Sequence, residues 1–320
     1  MTRILVTGGA GFIGSHIVEH LARDPTIEIR VLDNLSTGFI SNIQGFLSDR
    51  VEFMYGDLTN PFDCQKAVDG IDMICHQAAV GSVPRSVSDP RTSHENNVNG
   101  FFNLLLAAKN AGIRRFVYAS SSSVYGDNSE LPKMEDRTGQ LLSPYAVTKS
   151  INELYGQIFT RTYGMECIGL RYFNVFGPRQ NPNGLYAAAI PKFIKLYKDG
   201  SAPTIYGDGL ASRDFTYVDN VVKANILALG TSNPEAFGTT FNIGAGGRIS
   251  ILEVANIIGS HLGAKTKPTL GEPRKGDILH SNADITKARK ILGYEPTICF
   301  SKGIERLIRG NLGQIKCHLE

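Results

Sequence analysis

Residues 3–14 read "RILVTGGAGFIG": an apolar run, Ile4–Thr7, breaks into three glycines, Gly8, Gly11 and Gly14, that recur every third residue and lead into a second apolar stretch. Such a run bounded by glycine predicts a short strand, and the stretch after it predicts a helix. A glycine turn between a strand and a helix lets backbone approach a pyrophosphate, whose charge then faces the helix N-terminus. Nineteen residues beyond Gly14, Asp33 ends a second short run, "VLDN". A carboxylate there accepts hydrogen bonds from ribose hydroxyls and repels a 2′-phosphate, which favours NAD over NADP; the bland alternative is that Asp33 caps a turn with Asn34.

Outward from this turn the rhythm repeats. Strands are expected at Ile4–Thr7, Ile29–Leu32, Val51–Tyr55, Met73–His76, Phe116–Ser120 and Ile168–Arg171, with helices at Gly14–Ala22, Phe62–Val68, Asn97–Ala111 and Tyr145–Tyr163. That alternation predicts an α/β fold, a Rossmann-like doubly wound parallel sheet covered by helices. At "NVFGPRQNPNG" (174–184) a cluster of Gly, Pro and Asn reads as a loop leaving the sheet. Beyond it, "VDNVVKANILAL" (218–229) and "TTFNI" (239–243) read as one more helix and strand of the first domain, and helices are expected at Ile251–Leu262 and Ala283–Leu292. The expected division is a nucleotide-binding domain of residues 1–173 plus about 213–244. A smaller α/β substrate domain would take about 174–212 plus 245–320.

The chain has 320 residues, 42% hydrophobic and 20% charged, with a net charge of +3. These values describe an ordinary soluble globular protein, and no basic face invites a nucleic-acid partner. Gly8, Gly9, Gly11 and Gly14 interrupt the N-terminal apolar residues before a signal or membrane segment develops, so a cytoplasmic protein is expected. The five cysteines, Cys64, Cys75, Cys167, Cys299 and Cys317, are scattered without a CxxC pair, which suggests neither a disulfide framework nor a metal site. The expected helix Asn97–Ala111 carries Val98, Phe101, Phe102, Leu104, Leu105 and Leu106, apolar on more than one face. It is either a buried core helix or one shared with another subunit.

In "SPYAVTK" (143–149), Tyr145 and Lys149 stand four apart and share one face of a helix. A nearby ammonium favours phenolate and would bring the tyrosine pKa down, making Tyr145 a candidate general base, while Lys149 would also bond the nicotinamide ribose. Taken alone such a pair is more often a surface feature. "ASSSSVYG" (119–126) follows the fifth strand at the carboxyl edge of the sheet, where open α/β sheets bind ligands. Ser121, with Ser122 beside it, can hydrogen-bond a reacting oxygen there; a serine run is otherwise a polar strand end.

The glycine spacing GxxGxxG, the serine segment and "YAVTK" together resemble the short-chain dehydrogenase/reductase superfamily. From residue 2 to about 310 the chain resembles its extended branch, which modifies nucleotide sugars. The resemblance implies NAD contacts at Gly8, Gly11, Phe12, Ile13, Gly14, Asp33 and Asn34, at Asp57 and Leu58 in "GDLTN", and at Gln77, Ala78 and Ala79 in "HQAAVGSVPRS". Asn97 in "NNVNG", Tyr145, Lys149 and Tyr172 complete that set. It implies sugar-nucleotide contacts at Ser82, Arg85, Ser121, Ser122, Asn174, Ala188, Lys192, Tyr206, Arg213, Arg274, Asp277 and Ser281. Two arginines from separate segments, Arg213 in "SRDFTYVDN" and Arg274 in "PRKGD", suit a diphosphate because guanidinium forks match phosphate oxygens. Similar proteins are homodimers in which the helices at 97–111 and 145–163 form a four-helix bundle.

Members of that branch share hydride transfer at sugar C4. Similar dehydratases carry an Asp-Glu pair just before "VYG", and similar decarboxylases a glutamate in that segment; this chain has Ser122 and Ser123. Without an added acid or base the simplest outcome is 4-epimerisation. "VPRS", "GLRYFNVFGPRQNPNGLYAAAIPKF" and "GDILHS" resemble epimerases that interconvert UDP-N-acetylglucosamine and UDP-N-acetylgalactosamine. Where related glucose-restricted enzymes have a tyrosine, Ser281 stands here, leaving room for an acetamido group. Epimerases of UDP-glucose, or of UDP-uronic acids with Arg85 near C6, remain alternatives, as does a catalytically silent nucleotide-binding regulatory protein.

Overall fold

A computed structural model of the chain describes residues 1–182, 188–272 and 279–316. Strands β1 (Thr2–Thr7), β2 (Ile27–Asp33), β3 (Val51–Tyr55), β4 (Met73–His76), β5 (Arg115–Ser121) and β6 (Glu166–Tyr172) alternate with helices. These are α1 (Phe12–Leu21), α2 (Pro61–Val68), α3 (Val83–Ser88), α4 (Pro90–His94), α5 (Gly100–Asn110) and α6 (Pro144–Tyr163). Next come β7 (Val175–Phe176), α7 (Ala189–Lys198), β8 (Thr204–Tyr206), β9 (Ser212–Arg213), β10 (Thr216–Tyr217), α8 (Val218–Gly230) and β11 (Thr239–Ile243). The chain continues through β12 (Ile249–Ser250), α9 (Ile251–Leu262), β13 (Thr269–Gly271), β14 (His280–Ser281), α10 (Thr286–Leu292) and α11 (Phe300–Lys316).

Seven strands form one parallel sheet in the order β11-β6-β5-β4-β1-β2-β3. Parallel strands are buried on both faces, which is why they read as nearly unbroken apolar runs. Side-chain alternation divides them between two cores. Ile4, Val6, Val117 and Ala119 join Ile17 and Val18 of α1 and Val221 and Ala224 of α8. Leu5, Phe116 and Tyr118 join Leu104 and Leu105 of α5 and Phe159 of α6 on the other face. A third cluster, with Ile190 and Phe193 of α7, Ile258 of α9 and Ile304 and Leu307 of α11, lies around β7 and β10. Among the described residues no helix is long and apolar enough to cross a membrane.

Local differences from the expected elements have local causes. Helix α1 begins at Phe12 rather than Gly14, because the turn already closes at Gly11, its N-cap residue. The helix expected from Asn97 starts as a π-turn at Glu95–Asn99 before α5. Helix α10 begins at Thr286 rather than Ala283; the Asp284 carboxylate accepts from the Thr286 amide. The short α3 and α4 were not expected; each opens on a capping side chain, Ser82 or Asp89, followed by proline in the first turn. Helix α6 was expected within one residue: Ser143 caps the Ala146 amide, Pro144 presets the first turn, and Gly164 ends it at φ +68°.

Asp214, between β9 and β10, ties the later elements to the sheet. Its fully buried carboxylate accepts from the amides of Ala245, Gly246 and Ala283 at 2.8, 3.0 and 3.3 Å. Burial pushes its pKa up to about 6 against the pull of those donors. Asp214→Ala strands these amides, and urea unfolding should show a loss on the order of 3 kcal/mol; an unchanged midpoint would contradict this role.

Candidate active site

The sheet order reverses about β1, which lies between β2 and β4. At such a switch point a crevice opens at the carboxyl ends of the strands. A cavity of about 310 Å³ lies there, lined by the glycine turn on one side and by Ala119, Ser120, Tyr145, Lys149 and Tyr172 on the other.

The glycine turn is a cradle that side chains would fill. Gly8 has φ +65°, and a Cβ on it would meet the Ala78 backbone at 2.6 Å; a Cβ on Gly14 would lie 2.2 Å from the Gly8 carbonyl oxygen. Helices α2, α3, α4, α6 and α9 each start on a capping side chain, whereas α5, α7, α8 and α10 do not. Helix α1 starts on Gly11 with none, and Gly11, Phe12, Ile13 and Gly14 line the cavity. An uncapped N-terminus with its positive dipole end on a cavity fits the diphosphate of a dinucleotide. At the end of β2, Asp33 accepts from the amides of Ala10 and Leu35 at 2.9 and 2.8 Å, one to each oxygen, leaving acceptor capacity towards the cavity it lines. Burial raises its pKa while those two amides oppose. Asn34 donates to Asp57, which also accepts from the amide and hydroxyl of Thr59; together these bonds outweigh burial and hold the carboxyl below its ordinary value. Leu58, Gln77, Ala78 and Ala79 complete this wall.

Gln77 donates to Asn225 and accepts from the Tyr172 hydroxyl, each at 3.0 Å, so a residue of α8 orients two residues of the cavity wall. No local motif marks Asn225; its partners on the cavity wall are 53 and 148 residues away. Asn97 is displaced from its expected place beside the cofactor. Its amide bonds both the N–H and the carbonyl of Val80 and reaches Thr148, and the π-turn places Asn96 on the wall instead.

At the other end, the Lys149 ammonium donates to the Ala119 carbonyl at 2.9 Å and lies 5.9 Å from the Tyr145 ring centre. Burial pushes the Tyr145 phenol above its ordinary value, with a hydrogen bond to Ser121 opposing. Burial takes Lys149 down to about 8, with the Glu153 charge opposing. The expectation that Lys149 lowers the Tyr145 pKa is not met in the protein alone: the ammonium is held on a backbone carbonyl, and burial raises the phenol. Ser121 also accepts from the Ser123 amide at 3.1 Å, and Ser122 opens the 3-10 turn that follows. Ser82 caps α3 with φ +100°, its hydroxyl accepting from the Arg85 amide.

A second cavity of about 230 Å³ is lined by Asn174, Phe176, Gln180, Ala188, Arg213 and Phe215, among others. Asn174 donates to the Asp214 carbonyl, and Arg213 to the carbonyls of Ser212 and Leu279. Ser281 is buried and pairs with Arg213 in the β14–β9 register, but it is not on the cavity wall. Lys192 and Tyr206 are exposed and also off that wall. Arg274 and Asp277 lie outside the described residues.

A family model described as the NAD dependent epimerase/dehydratase family matches residues 4–244. The UDP-glucose 4-epimerase of Mycolicibacterium smegmatis is 37% identical over 309 residues, 96% of this chain and 97% of that protein. A UDP-N-acetylglucosamine 4-epimerase from Methanobrevibacter ruminantium, solved with UDP-N-acetylmuramic acid, superposes with a TM-score of 0.92 at 37% identity, covering 98% of this chain and 99% of that one. A UDP-glucuronic acid 4-epimerase from Bacillus cereus, solved with UDP-glucuronic acid and NAD, gives 0.89 at 33%, covering 98% and 100%.

Gly14→Val should abolish cofactor retention, read as the NAD released on denaturing the purified protein. Asp33→Ser should weaken NAD binding on the order of tenfold or more and narrow the preference over NADP, since a charged acceptor is lost. NAD binding unaltered in both variants would overturn the placement of the dinucleotide.

Proposed function

The chain belongs to the NAD-dependent epimerase/dehydratase family, and from that premise we propose that it interconverts the C4 epimers of a UDP-hexose, most specifically UDP-N-acetylglucosamine and UDP-N-acetylgalactosamine. NAD is its cofactor; held in the glycine cradle it would supply a reversible hydride acceptor for the sugar carbon. The carrying observation is the chemistry between the glycine cradle and the serines. A phenol and an ammonium line the cavity there, and Ser122 and Ser123 stand where elimination or decarboxylation would need an acid. Glu153, the carboxylate that reaches Ser120, is paired with Arg171.

On this reading Tyr145 takes the proton of the 4-hydroxyl and later returns it. Ser121, beside Tyr145, holds the reacting oxygen, and Lys149 orients the nicotinamide ribose and supplies positive charge beside the phenol. Asn174 and Arg213 hold the nucleotide end, so the sugar is free to present its other face. The division into a nucleotide-binding part, residues 1–173 with about 213–244, and a sugar-nucleotide part built from the rest belongs to the same proposal. The preference for an acetylated sugar rests on the M. ruminantium relative; Ser281, paired in register with the cavity residue Arg213 though itself off the wall, is the residue proposed to leave the room. Relatives named for glucose and glucuronic acid make those sugars the alternative substrates.

The chain is further proposed to act as a homodimer. Val147, Leu154 and Ile158 expose 42, 59 and 41% of their surface along α6, with Leu106 of α5 exposed as well, an apolar face that a second copy would cover. A monomeric mass in solution at micromolar concentration would remove this part.

Incubated without added cofactor, the purified protein should convert UDP-N-acetylglucosamine faster than UDP-glucose, read by separating the nucleotide sugars at equilibrium. Conversion of UDP-glucose alone would keep the chemistry and refute the sugar. Tyr145→Phe should lower kcat by about a hundredfold or more while NAD stays bound; near-normal turnover would sink the assignment. Ser281→Tyr should depress conversion of the acetylated sugar selectively.

A further inference from the structure

Three residues spaced four apart on the buried face of α6 address three successive residues at the end of β5. Ser121 acts on the Tyr145 phenol, Lys149 donates to the carbonyl of Ala119, and Glu153 accepts from the hydroxyl of Ser120 at 2.5 Å. The first two pairs belong to the reaction proposed above; the third was given no role there. The Glu153 carboxylate is also gripped by both arms of Arg171 from β6, at 2.8 Å each, and the guanidinium stacks over the Tyr125 ring at 5.0 Å. Both ions are nearly inaccessible, at 6 and 8% side-chain exposure. An ion pair so deeply buried is a poor source of stability, because desolvation offsets its attraction. Its position, one helical turn beyond Lys149, is what sets it apart.

We propose that Glu153 is a positioning residue for the reaction: its carboxylate locks the end of β5 to α6 and supplies the counter-charge of the Lys149 ammonium. The inference rests on Tyr145 and Lys149 being the reacting pair. Among the described residues, the titratable and charged groups that face Lys149 or Glu153 are Tyr145 on the same helix, His76 of β4, Tyr118 of β5, Arg171 of β6 and Lys287 of α10, with Glu135 and Asp136 acting on Lys287 in turn. Burial takes His76 down to about 3 and Tyr118 well above its ordinary value, so neither titrates near Lys149. Glu153 supplies the charge that opposes the loss of the Lys149 proton. Removing it makes that proton leave more easily, and activity then falls at lower pH.

The test is the pH profile of kcat with the NAD-loaded enzyme. In Glu153→Gln the alkaline limb should move toward acid by roughly 1–2 pH units. In Glu153→Asp, which keeps the charge on a shorter arm, the limb should stay while kcat falls. A purely structural role would lower kcat or the melting temperature in both variants and leave both limbs in place, and a stationary limb in Glu153→Gln overturns the proposal. An acid shift in Glu153→Asp as large as in Glu153→Gln overturns the counter-charge role. If Glu153→Gln does not fold, Glu153→Gln with Arg171→Gln removes both buried charges together and decides by the same limb, with a smaller acid shift expected. Lys149→Met separates the two levels. Full turnover in that variant removes the catalytic reading itself, whereas an essential Lys149 with an immobile limb in Glu153→Gln removes this inference alone.

Discussion

The architecture depends on one close approach: the first turn of α1 lies so near the end of β1 that a Cβ on Gly14 would be 2.2 Å from the Gly8 carbonyl. Only hydrogen at that position lets the helix start directly at the sheet edge, with its uncapped amides on the crevice beside β4. A side chain would push α1 off the sheet and disturb the packing of Ile17 and Val18 against the strand residues Val6 and Val31. Cofactor cradle and core are thus set by the same contact.

Around that contact the site is assembled from distant segments by buried polar groups. Asp214 gathers three backbone amides from two later loops, Asn225 of α8 fixes Gln77 and Tyr172, and Asn97 braces Val80. Each would be costly to bury without partners, and each is partnered. Together they hold the wall of one cavity and the approach to the other in a fixed relation.

Much of this was legible in the chain itself. The strand cores emerged from apolar runs bounded by glycine and the cradle from glycine spacing, and α6 was expected to within one residue. The misses cluster where the signal is not local. Asn96, not Asn97, lines the cavity, at a π-turn that no side-chain pattern announces. Helices α3 and α4 are too short to show a period. The Tyr145 shift was misjudged because pairing could be read from a four-residue spacing, whereas desolvation depends on everything packed around the pair.

The sequence by itself determined the parallel α/β class, the glycine cradle and the helix that carries Tyr145 and Lys149, because strand burial, backbone clearance and helical spacing are properties of neighbours along the chain. Only the tertiary structure decided which polar groups face a cavity and which brace its wall. It placed Asn97 on Val80, Lys149 on Ala119, and Glu153 between Ser120 and Arg171. Burial and partnership are set by segments far apart in sequence, and a carboxylate or an ammonium acquires its chemistry from what surrounds it in space.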